Sequence, residues 1–255
     1  MRDDIDLHIH TDRCRCGNET MTVPAVLERC QELGYTAIAI TDHYNGPQHL
    51  EAQHLIREDL RGYDGPLAVT WGVECTVADA AQGTLTVEAD FVDEMGYEFV
   101  IGGPHGRYEE TEPEAIIATQ HRLMLATIQN PIVNSLVHPW WFSRLEWERG
   151  TMNWFEDMSL IPDWHVEELA AACVESGTSV EMNATGILGH PHYSEKMLAD
   201  YSDYIAALSE RGVTFTLCSD AHDISKLEHA KNAAKFVADA GVPDEQIAVP
   251  EPSEL

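Results

Sequence analysis

Short apolar runs alternating with stretches of helical periodicity constrain this chain more than any other feature. Seven such runs occupy residues 5–10, 35–41, 67–75, 97–102, 134–137, 178–182 and 213–218. Most lack polar/apolar alternation, as strands do when a parallel sheet is covered on both faces. Helical spacing fills the gaps. Val23, Val26, Leu27, Cys30 and Leu33 recur on one face, with Thr22 as N-cap, Pro24 in the first turn and Gly34 as terminator. Ser225 and Glu228 form a capping-box pattern ahead of Ala230, Ala234 and Val237, and Gly241 closes that helix. Further helices are predicted near 48–61, 113–129, 163–176 and 194–211. No linker, repeat or low-complexity tract divides residues 1–255. The pattern predicts a single α/β domain, a distorted seven-stranded TIM-like barrel, with a doubly wound open sheet as the alternative.

Charge narrows the classes of partner. Asp and Glu number 44 against 15 Lys and Arg, a formal charge of −29, while hydrophobic residues at 44% supply ample core. Such a surface repels phosphate backbones and anionic lipid, so neither nucleic acid nor membrane is an expected partner. It resembles the surface of salt-adapted proteins. No apolar run nears the roughly 18 residues of a membrane span, and MRDDIDLHIH does not read as a signal peptide. Cys30 and Cys173 fall on apolar helix stripes, and Cys75 and Cys218 fall at strand ends. Buried thiols of that kind suit a reducing compartment, and a cytoplasmic location is expected.

Active groups of α/β barrels sit where the strands end. Six of the seven runs finish on a potential metal ligand. They deliver His8 and His10 (HIHTD), Asp42 and His43 (TDH), Glu74 (GVEC), His105 (GGPHG), His138 (VHPWW), and Asp220 with His222 (SDAH). A spacing of two puts each pair on one side of a strand or its exit. Imidazole and carboxylate are ligands of zinc, iron and manganese ions. Any one such residue is ordinarily a hydrogen-bonding group, but this many at one edge would leave unpaired acids and imidazoles in a shared concavity. A polynuclear metal site is therefore predicted. His49, His54, His121, His165 and His229 lie on predicted helices and read as surface or packing residues, with His190 and His192 intermediate.

From HIHTD to SDAH, the order of these motifs resembles the PHP family (polymerase and histidinol phosphatase domains). The resemblance implies a distorted barrel of seven strands carrying two or three divalent ions, zinc, manganese or iron. It implies that His8, His10, Glu74 and Asp220 hold the first ion. Glu74 would bridge to a second held by His105 and His138, and His43 with His222 would serve a third. Family members often place a His or Asp in the loop after HxH. Here that loop reads TDRCRCGNE, and Cys16 stands eight residues after His8 as the candidate third-site ligand, with Cys14 and Asp12 nearby.

Phosphoester hydrolysis at such a site uses two ions to activate water and to clamp the phosphoryl oxygens. Glu74, Asp220 and His222 are the candidate catalytic residues, with His222 or Asp220 passing a proton to the leaving group. Arg107 and Arg144 are the candidate phosphate-binding cations. Trp141 opens an aromatic segment after His138 that is a candidate pocket wall. The expected function is a metal-dependent phosphatase of a small phosphorylated metabolite. The alternatives are an amidohydrolase-like enzyme acting on a non-phosphorylated substrate and a catalytically idle binding barrel. No polymerase or exonuclease pattern follows, so a proofreading role is not expected, and the oligomeric state is open. Added salt should raise the melting temperature and chelation should lower it, because salt screens the acidic surface and ions bind only the folded site. Circular dichroism melts across salt and EDTA check this; indifference to both overturns it.

Overall fold

Parallel pairing organises the chain into a nearly closed α/β barrel. The computed structural model describes residues 2–14, 16–79, 81–105, 110–141, 157–190 and 193–252. Its strands are β1 (Ile5–Ile9), β2 (Ala37–Ile40), β3 (Ala68–Asp79), β4 (Thr84–Leu85), β5 (Phe99–Gly103), β6 (Ser135–Leu136), β7 (Ser179–Asn183) and β8 (Phe215–Cys218). The order around the sheet is β1-β2-β3-β5-β6-β7-β8, all parallel, with β4 antiparallel to the end of β3. Beyond β8 the circle closes on β1. Asp220 N–H donates to His8 O at 2.9 Å and His10 N–H donates to Ala221 O at 3.2 Å.

Helices cover the outside: α1 (Val23–Glu32), α2 (Leu50–Leu60), α3 (Ala89–Met95), α4 (Pro113–Ile128), α5 (Asp163–Ser176), α6 (Glu195–Glu210) and α7 (Ala230–Asp239). Strands β1, β5, β7 and β8 are buried at every residue, which accounts for their unbroken apolar runs. Among the described residues no helix is long and apolar enough to cross a membrane.

Local details correct the sequence reading at four points. Strand β3 runs on to Asp79 and turns back as β4, and α3 follows, neither of which the apolar runs predict. Thr22 makes no side-chain cap on α1, whose first turn is instead set by Pro24. The capping box at Ser225 is replaced by Asp223. Its carboxylate accepts from Ser225 N–H and opens a 3-10 turn over Ile224–His229, so α7 proper starts only at Ala230. The fourth correction concerns β1.

Strict alternation would put Asp6, His8 and His10 on one side of β1. In the register with β2, Asp6 lies opposite Ile38 and Ile9 opposite Ile40, so three residues of β1 span two of β2. This one-residue bulge reverses the side-chain parity. Asp6 falls on the outer side with Ile38 and Ile40, while His8 turns to the inside. Ile5 and Leu7 join Ala39, Phe99 and Ile101 in one buried cluster, and Ile9 joins Ile38, Ile40 and Trp71 in the other. A bulge also leaves a backbone donor off the ladder. The Asp6 carboxylate answers it, accepting from His8 N–H at 3.4 Å and from Ser219 N–H at 2.8 Å. Burial drives the Asp6 carboxyl up to about 7, against the pull of those hydrogen bonds. Asp6 therefore joins β1 to β8 just below the point where their backbones meet.

Asp6→Ala strands two buried N–H donors and should cost about 2–4 kcal/mol of stability. Asp6→Asn keeps the Oδ1 acceptor and should cost about 1 kcal/mol or less. Denaturant unfolding of both variants separates a hydrogen-bonding role from simple space filling, which would give equal losses.

Candidate metal centre

The centre of the site is Glu74, at the inner face of β3 and only 1% exposed. Pairing of β2 with β3 continues past the strand ends, Tyr44 N–H donating to Glu74 O and Glu74 N–H to Asp42 O, which brings His43 alongside. The two carboxylate oxygens face different groups. Oε2 lies 3.3 Å from His8 Nε2, 3.3 Å from His10 Nε2 and 2.8 Å from His43 Nδ1. Oε1 lies 2.7 Å from His105 Nε2 and 3.5 Å from His138 Nε2. Asp220 Oδ1 approaches His10 Nε2 at 3.3 Å and His8 Nε2 at 3.6 Å, and the His222 ring stacks on His10 at 4.2 Å. The residues picked out at six strand ends thus converge at one place.

Backbone geometry aims several of them. His138 and Asp220 have φ values of 28° and 52°, and Trp140 has 62°. Left-handed backbone costs about 1–2 kcal/mol at a non-glycine residue, and here it turns the chain sharply at the exits of β6 and β8.

A second layer, missed by the sequence reading, fixes the rings. Glu181 Oε1 lies 2.6 Å from His8 Nδ1, and its Oε2 accepts the His138 backbone N–H. Asn183 donates to Glu181 Oε2 at 3.2 Å and to Asp220 Oδ2 at 3.0 Å. The Thr76 hydroxyl meets His105 Nδ1 at 2.5 Å. Strand β8 separates β7 from β1, so a Glu181–His8 contact exists only across the barrel interior. The signal available in the sequence was an acid and an amide two apart in an apolar run, Glu181 and Asn183.

Electrostatics on protein atoms alone show how tightly these groups are coupled. Burial would raise the Glu74 carboxyl, but His43, His8 and His105 outweigh it and hold it well below the usual carboxylate range. Burial opposes charge on His8, yet Glu74, Glu181 and Asp220 hold it protonated well above its ordinary value. His10 is pushed down to about 3, by burial first and then by the charge of His222. Asp220 is lowered, because His8 and His10 overcome its burial.

The residues present fit divalent cations. Glu74 Oε2 and His43 Nδ1 are buried 2.8 Å apart without hydrogen-bond geometry, and the ring nitrogens of His8 and His10 stand 2.9 Å apart, directed at the same oxygen. Converging imidazoles and carboxylates suit zinc, iron and manganese. Among the described residues, ligand atoms fall within 4.8 Å of one another in four overlapping groups: His8 with His10 and Asp220, His43 with Glu74 and His105, His10 with Cys16, His43 and His222, and His10 with Cys14, Cys16 and Asp42. Cys16 is also joined to Cys14 in a disulfide, so in this form its sulfur is no thiolate ligand. Asp42 accepts from the backbone and hydroxyl of Thr11 at the end of β1, and burial raises it to about 7.

The Trp141 ring lies 5.0 Å from His138, at the edge of the site, whereas Trp140 is buried and Trp164 is exposed on α5. Arg107 and Arg144, with most of the aromatic segment, lie outside the described residues. His190 is not in the ligand groups found among the described residues, and His192 lies outside them. His121 and His165, expected on helices, stack on each other at 3.9 Å away from the site.

Glu181→Gln removes the charge that orients His8 and should weaken metal affinity by about 10–100-fold. Competition titration against a chromophoric chelator measures this, and unchanged affinity would remove Glu181 from the site.

A sequence model of the PHP domain matches residues 6–133, which include His8, His10, His43, Glu74 and His105. The chain is 25% identical over 234 residues to the DNA polymerase/3'-5' exonuclease PolX of Bacillus subtilis (strain 168). That alignment takes in 89% of this chain and 35% of PolX, so the chain spans about a third of that relative's length. Among solved structures, hisK of Listeria monocytogenes, provisionally assigned as a histidinol phosphatase, superposes with a TM-score of 0.58 at 14% identity. The match covers 88% of this chain and 97% of hisK, and it is a likeness of fold.

Proposed function

The chain belongs to the PHP domain family, and on that footing we propose that it is a metal-dependent phosphoesterase acting on a small phosphorylated metabolite. The observation that carries the reading is Glu74, one buried carboxylate whose two oxygens face two separate sets of imidazoles. In this reading His8, His10 and Asp220 hold one ion, and His105 and His138 a second, with Glu74 between them. His43 and His222 serve a third, which Cys16 can join only when its disulfide to Cys14 is reduced. Divalent ions held there would lower the pKa of water and neutralise charge on a phosphoryl group.

The protein's own groups do the rest. Glu181 and Asn183 hold His8 and Asp220 in place, so the site does not reorganise as charge develops. His222 is 40% exposed at the rim and its Nδ1 lies 3.1 Å from Asp220 O, so when it holds no ion it can present a proton to a leaving alkoxide. Arg107 and Arg144 remain the proposed contacts for phosphate. The formal charge of −29 favours a small substrate over a nucleic-acid backbone.

A second reading, hydrolysis of a non-phosphorylated amide or lactone, is favoured by the Trp141 ring beside His138 and by the scarcity of basic residues. A panel of phosphomonoesters, oligonucleotides, amides and lactones assayed with Mn²⁺, Zn²⁺ or Fe²⁺ separates the two. Release of phosphate from small monoesters supports the phosphoesterase, and metal binding with turnover only of amides or lactones replaces it with the second reading. Glu74→Gln should lower turnover by at least about 100-fold and reduce bound metal. Wild-type turnover at full metal occupancy would overturn the bridging role.

A further inference from the structure

The loop between β1 and α1 brings both cysteines to the edge of the site, and Cys14 also borders a surface cleft. It is fastened at both sides of the site: Asp12 N–H donates to Met21 O at 3.0 Å, Asn18 N–H to His222 O at 2.8 Å, and the Asn18 amide to Asp223 Oδ2 at 2.6 Å. Gly17 permits this close fold, since a Cβ there would stand 2.5 Å from the Thr11 carbonyl oxygen. Cys16 is thereby directed inward. Its sulfur lies 3.4 Å from His10 Nδ1, and with His10, His43 and His222 it forms a group whose ligand atoms lie within 4.8 Å of one another. A tetrahedral ion with bonds of about 2.0–2.3 Å sets its ligands roughly 3.3–3.8 Å apart, so small side-chain movements suffice for Cys16, His43 and His222 to meet on a cation beside His10, whose Nε2 stays with His8 and Glu74. Cys14 Sγ also lies within 4.8 Å of ligand atoms of His10 and Asp42, and Cys14 borders a surface cleft of about 380 Å³ lined by Arg13, Gln48, His49 and Glu51. The remaining cysteines, Cys30, Cys75, Cys173 and Cys218, are unpaired and buried.

We propose that the Cys14–Cys16 disulfide is a redox gate on one metal position of this centre, closed in the oxidised chain and opened by reduction, when Cys16 becomes a thiolate ligand beside His10, His43 and His222. The proposal rests on the metal-centre reading above. The chemistry is thiol–disulfide exchange with a dithiol reductant. One reductant thiolate attacks Cys14 Sγ from the cleft, the Cys14–Cys16 bond breaks, and its electron pair leaves on Cys16. The second reductant thiolate attacks the mixed disulfide and releases Cys14 as thiolate. The reductant departs as its own disulfide, having supplied two electrons. Cys14 takes up a proton from water, and Cys16 keeps its electron pair for the cation.

Cobalt(II) is the probe, because a thiolate ligand gives it a near-ultraviolet charge-transfer absorption that imidazole and carboxylate do not. Reduced and oxidised protein are titrated with Co²⁺, with thiols counted by Ellman's reagent and folding followed by circular dichroism. The reduced chain should bind one more Co²⁺ than the oxidised chain and alone show the thiolate band. Cys14→Ser should show the band without reductant, since no disulfide can form. Cys16→Ser should lose it and bind equally whatever the redox state. Equal cobalt content in the two states of the folded wild type, absence of the band from the reduced chain, or its absence from folded Cys14→Ser would overturn the gate. Failure of both forms to bind any Co²⁺ would overturn the metal centre itself, and neither outcome depends on phosphate release.

Discussion

A carboxylate shut inside a barrel is the constraint on which the rest depends. Desolvating Glu74 alone would cost several kcal/mol, and only opposite charge held at short range offsets that. The protein surrounds it with imidazoles on four strand exits, at distances of 2.7 to 3.5 Å, and of these His8 and His43 are drawn toward the charged form by Glu74 itself. Each imidazole must then be held in turn, or side-chain entropy would disperse the cluster. Glu181 holds His8, Thr76 holds His105, and the pairing of β2 with β3 holds His43. The site is a network of reciprocal dependence, and removing one outer member unsettles a ligand it never replaces.

The backbone bends to meet the same requirement. A bulge in β1 brings His8 inward, and the Asp6 carboxylate answers the donor the bulge releases. Left-handed residues at His138 and Asp220 do similar work at the exits of β6 and β8. Regular strands would be easier to fold, but they would deliver these side chains to the wrong faces. Departures from regularity therefore gather where the candidate ligands are aimed, as is common at functional sites. The apolar framework beneath, two buried clusters on and around the sheet, is rigid enough to sustain the strain.

Much of this was legible in the order of residues. Strands buried on both faces write themselves as apolar runs, so the parallel barrel and the strand ends could be read directly, and with them His8, His10, His43, Glu74, His105, His138 and Asp220. The HxH spacing fixed the relation between His8 and His10 because two residues of strand return to the same side. What escaped was the outer layer. Glu181 and Asn183 sit in a run that looks like any other buried strand, and their partners lie on β1 and beyond β8, more than 30 residues away in the chain. No local pattern marks such a contact. Asp6 was hidden for a related reason, since alternation assigns it to the same side as His8 and only the register with β2 reveals the bulge.

The two cysteines show the division most clearly. The chain alone determined that two thiols stand two residues apart, just after a pair of candidate ligands, in a loop lacking the expected histidine. It also determined the acidic charge, which needs only counting. Whether either sulfur reaches the metal centre depended on where the loop is fastened, and that was decided by Asn18 and Asp12 bonding to partners both near and remote in sequence. Periodicity and spacing are properties of neighbours along the chain and survive in the sequence. Direction and proximity arise when distant segments close a barrel, and the residues that control them carry no local mark of doing so.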